Sequence, residues 1–267
     1  MKKENIIIII LSAIVLIQAI IIFVFLRPQP KARPHIKKPP VAFKQEKIKG
    51  EIAIVLDDWG YNQSNLEALR GLSKYPLTIA ILPNLPYSSF IAREARAMKF
   101  ETILHLPLEP YGNYKLENNT IVTSMSKKQI RNIIENSLKN VGEVKGVNNH
   151  MGSKATASKQ TMAVVLGVLK EKGLYFLDSL VSDKSVCQKQ AKEAGVAFAK
   201  RNVFLDNQNN AVYVRNQIYK LKAKARVSGY AIGIGHDRAN TIVLLEEELP
   251  KMEREGFKLV FVSQIAK

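Results

Sequence analysis

From Gly50 to Lys267 short apolar runs alternate with longer amphipathic stretches, and this alternation restricts the fold more than any other feature of the chain. The runs fall at residues 51–56, 77–82, 101–106, 146–149, 174–178, 230–235 and 257–262, with 197–199 or 203–205 supplying one more. Stretches of helical periodicity separate them at 64–72, 88–98, 126–140, 159–172, 185–194, 210–226 and 241–255. Apolar runs this short, closed by turn residues, read as strands buried on both faces. Strands that alternate with helices imply a parallel sheet with helical crossovers. At this length the pattern predicts an α/β fold: a distorted or incomplete (β/α) barrel of seven to eight mostly parallel strands, rather than an open doubly wound sheet. No repeat of solenoid period is present.

The first fifty residues are of another kind. Ile6 to Leu26 is almost wholly apolar, broken only by polar Ser12 and Gln18, and matches the roughly 20 residues a helix needs to cross a bilayer. No small-x-small cleavage site follows it, so residues 1–26 read as a transmembrane anchor rather than a removed leader. Residues 27–49 carry Pro28, Pro30, Pro34, Pro39 and Pro40 among basic side chains and read as an extended, semi-rigid linker. Residues 50–267 form the folded domain. Local charge favours a cytoplasmic carboxyl side, because Arg27, Lys31, Arg33, Lys37 and Lys38 outnumber Lys2 and Lys3, whereas a short basic N-terminus before one apolar span also describes an exported signal-anchor. The formal charge is +17, but the basic residues are dispersed and show no aromatic-and-basic recognition motif, which argues against nucleic acid as a partner. The single cysteine, Cys187, excludes a disulfide within the chain.

The chemistry collects at the ends of the strands. The run 52–56 stops at Asp57 and Asp58, followed by Trp59 and Gly60. Two adjacent carboxylates are too costly to bury without partners, which places them at the carboxyl end of the strand. Of the four histidines, His35 lies in the linker, while His105, His150 and His236 each end a predicted strand, and Asp178 ends another. In a parallel barrel these ends share one rim. Imidazole with carboxylate is a ligand set for Zn²⁺ or a similar divalent ion. With a coordination position left open, such a site activates a water, and a neighbouring carboxylate and a histidine then move protons. No phosphate-binding loop and no Gly-x-Ser-x-Gly elbow is present, which argues against nucleotide or serine-esterase chemistry.

These residues bring a family into view. The segment Leu56-Asp57-Asp58-Trp59-Gly60 resembles the Asp-Asp motif of NodB-type polysaccharide deacetylases, and Glu101-Thr102-Ile103-Leu104-His105 resembles their second motif. The run Tyr230-Ala231-Ile232-Gly233-Ile234-Gly235-His236 is similar to the closing strand that carries their catalytic histidine. The segments His105-Leu106-Pro107-Leu108-Glu109-Pro110 and Asn148-Asn149-His150-Met151-Gly152-Ser153 resemble signatures of the divergent branch. This resemblance implies a NodB-like barrel that hydrolyses acetyl groups on a polysaccharide or peptidoglycan-type substrate. By position it implies Asp57 as general base, Asp58 and His105 as metal ligands and His236 as general acid.

Two departures stand out. Glu109 occupies the place of the usual second metal histidine, and Asn148-Asn149-His150 replaces an arginine-bearing motif. The third ligand is therefore His150 or Glu109, with His150 preferred because imidazole suits Zn²⁺. Glu109, Asn149, Asp178 and Trp59 are further candidates for substrate contact or for bracing the ligands. Asp178 is read as orienting His236 or capping a turn, and Trp59 and Tyr111 as stacking on sugar or packing at the rim. The expected function is a metal-dependent deacetylase acting on a cell-envelope glycan; the alternative is an inactive glycan-binding or scaffold protein that keeps the fold. That substrate class places the domain outside the cytoplasmic membrane, in a periplasmic position.

Overall fold

Both candidate sixth strands form, so among the described residues the sheet has nine strands, all paired in parallel, eight of them along the barrel ladder and the last beside the first. The computed structural model describes residues 3–27 and 48–267; the expected linker lies outside the described residues apart from its two ends. The chain divides into two units, Met1–Gln45 and Glu46–Lys267. In the first, α1 (Lys3–Phe25) contains Ile7–Phe25, long and apolar enough to cross a membrane by length and composition.

The second unit begins with β1 (Gly50–Trp59), followed by α2 (Leu66–Gly71), β2 (Leu77–Ile81), α3 (Ser88–Ala97), β3 (Glu101–Leu108), α4 (Lys127–Val141), β4 (Gly146–Met151) and α5 (Lys159–Lys172). Then come β5 (Tyr175–Asp178), α6 (Cys187–Ala194), β6 (Phe198–Lys200), β7 (Val203–Phe204), α7 (Ala211–Ser228), β8 (Tyr230–His236), α8 (Ala239–Arg254) and β9 (Phe257–Leu259). Local chemistry fixes the helix starts. Ser126 and Gln129 form a reciprocal capping box at α4, while Ser158 and Asn210 accept the free amides of α5 and α7.

The ladder runs β6-β5-β4-β3-β2-β1-β8-β7. Its two ends are successive pieces of one extended segment: β6 pairs with β5, and β7 pairs with β8. Between them, the Arg201 amide donates to the Asp178 carbonyl and the Asn202 amide to the Ile232 carbonyl. The barrel is therefore distorted, and a single broken strand closes it in place of two paired ones. This explains why the sequence offers two equally short candidates there.

The last expected strand, 257–262, is corrected. Pairing of β9 with β1 ends at Leu259, and the chain turns through a short 3₁₀ helix, Val262–Gln264. That turn puts Val260, Val262 and Ile265 among the inward-facing Val55, Ile103, Leu177, Ile232 and Ile234. A second apolar layer lies between the outer faces of the strands and the helices, where Ile54, Leu56, Leu104, Leu106 and Phe176 are fully buried. Each such side chain contributes about 1.5–3 kcal/mol by leaving water. The carboxyl ends of the strands are thus held on a frame packed on both sides.

Candidate metal centre

Successive residues on a strand face opposite ways, so Asp57 and Asp58 would not share a site on a regular β1. The strand is irregular at that point. Its register against β2 shifts between Leu56 and Trp59, and Asp58 adopts a left-handed backbone with φ 66°. Asp is among the residues that tolerate this conformation, and strain of this kind collects at functional sites. The shift turns both carboxylates towards the mouth and Trp59 into the layer between the strands and the helices. Trp59 is fully buried, with its indole Nε1 unpartnered among the described residues. It is therefore core: of the two fates read for it in the sequence, packing is the one realised, and substrate contact is corrected.

His105 on β3 and His150 on β4 complete a cluster. Asp58, His105 and His150 each offer a ligand atom, and these atoms all lie within 4.8 Å of one another. Asp58 Oδ1 is 3.1 Å from His105 Nε2 and 3.0 Å from His150 Nδ1. The two ring nitrogens are 3.2 Å apart. Glu109 is elsewhere: its carboxylate takes Lys154 Nζ at 2.7 Å and the Thr123 amide and hydroxyl at 2.6 and 2.7 Å. It pins the loop after β3, and the Lys154 and Thr123 donors outweigh its partial burial to hold it below the usual carboxylate range.

A hydrogen-bond chain fixes the tautomer of His105. Asn148 Nδ2 donates to Asp57 Oδ1 at 2.9 Å, which turns Asn148 Oδ1 towards His105 Nδ1 at 2.8 Å. Nδ1 must then carry a proton, leaving Nε2 a lone pair aimed at Asp58. A lone pair facing a carboxylate oxygen is repulsive unless a cation lies between them. Without a metal that cation is a second proton: burial depresses His105, but Asp57, Asp58 and Asn148 outweigh it and push it up to about 9. The donor set therefore fits a divalent ion such as Zn²⁺, with Asn148 bracing the imidazole from behind. Asn148 was missed in the sequence, where Asn149 was chosen. Asn149 points to the other face of β4, bonding the Met151 carbonyl and the Ser179 amide, and is corrected to a structural role.

Asp57 is buried, and burial raises its carboxyl above the usual range in spite of nearby His105. Its Oδ2 lies 3.7 Å from His105 Nε2. Opposite Asp57 in the β1–β8 register stands His236. Its Nδ1 donates to Asp206 Oδ1 at 2.7 Å, and its amide donates to Asp206 Oδ2 at 2.9 Å. Thr241 adds a third donor at 2.7 Å. Burial lowers the His236 pKa, but Asp206 more than compensates and raises it. Asp206, directly after β7, was missed in the sequence and takes the orienting role considered for Asp178. Asp178 instead accepts from the Leu180 amide and Ser185, capping its own turn. Phe204 stacks on His236 with ring centroids 5.9 Å apart, and the Arg201 guanidinium lies 3.6 Å from the Phe204 centroid.

The comparisons with known proteins agree with this frame. A profile described as divergent polysaccharide deacetylase matches residues 54–266. The chain belongs to that family. Among its relatives, an uncharacterized protein of Haemophilus influenzae is 36% identical over 214 residues, covering 80% of this chain and 75% of the relative. The uncharacterized protein YibQ of Escherichia coli is 34% identical over 207 residues, covering 78% of this chain and 65% of its own length. Among solved structures, uncharacterized protein ATU2773 of Agrobacterium tumefaciens aligns with a TM-score of 0.77 at 22% identity, over 90% of this chain and 92% of that one. A mutant of BA3943, described as a CE4 family pseudoenzyme with restored enzymatic activity, aligns at 0.52 and 12% identity, over 80% and 66%. At such identities these two structures speak to the divergent family's fold alone.

Proposed function

We propose that residues 50–267 form a metal-dependent hydrolase that removes acetyl groups from a cell-envelope polysaccharide, with Zn²⁺ held by Asp58, His105 and His150. The supporting observation is the convergence of those three ligand atoms beside a buried carboxylate, Asp57, and an Asp-oriented imidazole, His236. When bound, the cation supplies Lewis acidity to the acetyl carbonyl and to an attacking water. Asp57 accepts the water's proton, and His236, with Nδ1 committed to Asp206, donates from Nε2 to the departing sugar nitrogen or oxygen. Acetate leaves. Exposed Tyr111 and Tyr114 line a cleft of about 200 Å³ with Met151, Gly152 and Ser153, the residues that follow His150 in the chain, and offer a sugar ring an aromatic wall.

In this reading residues 1–26 anchor the chain in the cytoplasmic membrane, residues 27–49 are a spacer, and the barrel faces the envelope. The test is metal content of the purified chain and of its Asp58→Ala and His105→Ala variants, with acetate release from acetylated glycans. Equal metal in all three removes the mechanism. The second reading, a relic that binds glycan without turnover, is supported by Glu109 in the place of a metal histidine and by the pseudoenzyme among the structural neighbours. Glycan binding without acetate release from metal-loaded protein would favour it.

A further inference from the structure

Because every strand is parallel, the strand beginnings gather at the end of the barrel opposite the metal centre. Two adjoining clefts open there. One, of about 390 Å³, is lined by Lys145 and Lys170; the other, of about 310 Å³, by Lys192 and Lys267, with Val196 in both, and it runs up the side of the barrel to Lys200, which pairs in the strand register with rim residue Asp178. Among the described residues no carboxylate lies within ion-pair distance of Lys170, Lys192, Lys200 or Lys267. Lys145 has only exposed Glu143, at 3.2 Å.

The ordinary explanation of such charge is the helix dipole, which favours cations in a last turn. It accounts for Lys170 in α5 and Lys192 in α6. It does not account for Lys145 and Lys267, which lie outside helices. Nor does it account for apolar groups left in water beside them. Val227 is 88% exposed, and Ile48 and Tyr230 are exposed too, Tyr230 in the wall of the second cleft. Lysines interleaved with exposed aromatic and aliphatic groups are the composition of a surface that meets a lipid headgroup layer.

We propose that this end of the barrel docks on an anionic phospholipid bilayer, the lysines taking the headgroup phosphates and Ile48, Val227 and Tyr230 entering the interface. Charge complementarity selects this occupant, and so does the covalent path: the segment that follows α1 enters β1 at this same end, through Ile48 and Lys49. The docking leaves the strand carboxyl ends turned away from the lipid. It is independent of whether the metal centre is active.

The test uses the full chain, incorporated through α1 into nanodiscs of neutral phosphatidylcholine or of phosphatidylcholine mixed with phosphatidylglycerol. Lysine acylation is followed residue by residue by mass spectrometry. Each lysine close to an anionic surface gains roughly a fivefold preference for it, and salt removes the gain. The expected result is slower labelling of Lys145, Lys170, Lys192 and Lys267 in anionic discs, reversed by salt. Lys115 and Lys184, on loops at the mouth end, should label equally in both discs. The double variant Lys192→Gln, Lys267→Gln should lose the protection of Lys145 and Lys170. Equal labelling of the lower lysines in both discs, protection that includes the mouth-end lysines, or failure of the chain to enter either disc would overturn the proposal; the first outcome would leave the clefts to an acidic protein.

Discussion

Replacing Asp206 by Asn keeps its shape and removes its charge, which isolates what that charge does. Asp206 is fully buried and accepts from His236 Nδ1, the His236 amide and Thr241 Oγ1 at 2.7, 2.9 and 2.7 Å. Hydrogen bonds to a buried charge are worth about 1.5–3 kcal/mol each, and breaking a buried ion pair from one side costs about 3–5 kcal/mol. The amide can still accept two of the three bonds, so about 2–3 kcal/mol is expected near pH 5. The sign of the pH dependence follows from two opposed shifts. Burial raises Asp206 but His236 and Thr241 outweigh it, so its folded value lies below 3.8; His236 lies above 6.5. The Asp206 contribution is present above 3.8 and lost as pH falls through the depressed folded value. The His236 contribution is present below 6.5 and lost as pH rises through the elevated one. Urea unfolding of chelator-treated wild type and Asp206→Asn should therefore differ most between those two values, and the gap should narrow on the alkaline side. A gap of constant size from about pH 5 to about pH 9 would refute the charge argument and leave Asp206 as a neutral hydrogen-bond acceptor.

The remaining expectations follow from single contacts. Asn148→Ala strips partners from Asp57 and His105 and should lower metal affinity about 10–100-fold in competition with a chromogenic chelator. Trp59→Phe loses no hydrogen bond, since Nε1 has none among the described residues, but leaves a cavity in the core, so a destabilisation of about 1–3 kcal/mol with glycan binding unchanged is expected by urea unfolding. Gly152→Ala is different: at φ +95° its new Cβ would stand 2.7 Å from Leu108 Cβ, so destabilisation above about 2 kcal/mol is expected by thermal unfolding. Glu109→Gln should leave metal content unaltered, because its carboxylate bonds Lys154 and Thr123 rather than the cluster.

The alternation of apolar runs was enough to place all the major strands and helices, because strands buried on both faces leave an unbroken apolar signature. The ambiguity at 197–205 was physical: a strand too short to pair fully on either side gives two weak signals, and both were correct. The site was legible in its end residues and illegible in its orientations. Asp57, Asp58 and His236 close apolar runs, and His105 and His150 lie towards the carboxyl ends of their strands, a property visible in one dimension. Asn148 could have been found by stepping back two residues from His150, since alternate residues share a face. Asp206 ends the run 203–205 in the same way that Asp57 ends 52–56, but the choice between two sixth strands obscured it. Trp59 was beyond reach, because its direction depends on the irregularity at Asp58, which no local propensity announces.

That irregularity is what the candidate site depends on. On a regular strand, Asp57 facing the barrel axis would put Asp58 into the helix layer, among Leu56-like neighbours and far from His150. The left-handed turn at Asp58 brings both carboxylates to one opening, and they then divide the work by environment. Asp57 sits deep, its charge disfavoured by burial. For Asp58, the His105 and His150 contacts outweigh burial and hold the carboxyl well below its ordinary value. One carboxylate is thereby suited to accept a proton and its neighbour to remain an anion beside a cation. Gly in place of Asp58 would relax the backbone while deleting the ligand. Asn would keep the left-handed preference and the size, and remove only the charge. Asp58→Asn should therefore keep the fold, be less stable than wild type in the presence of chelator because protonated His105 loses its anion, and lose metal. If Asp58→Asn retains wild-type metal content, the cation is held elsewhere and the strained turn serves the fold rather than the site.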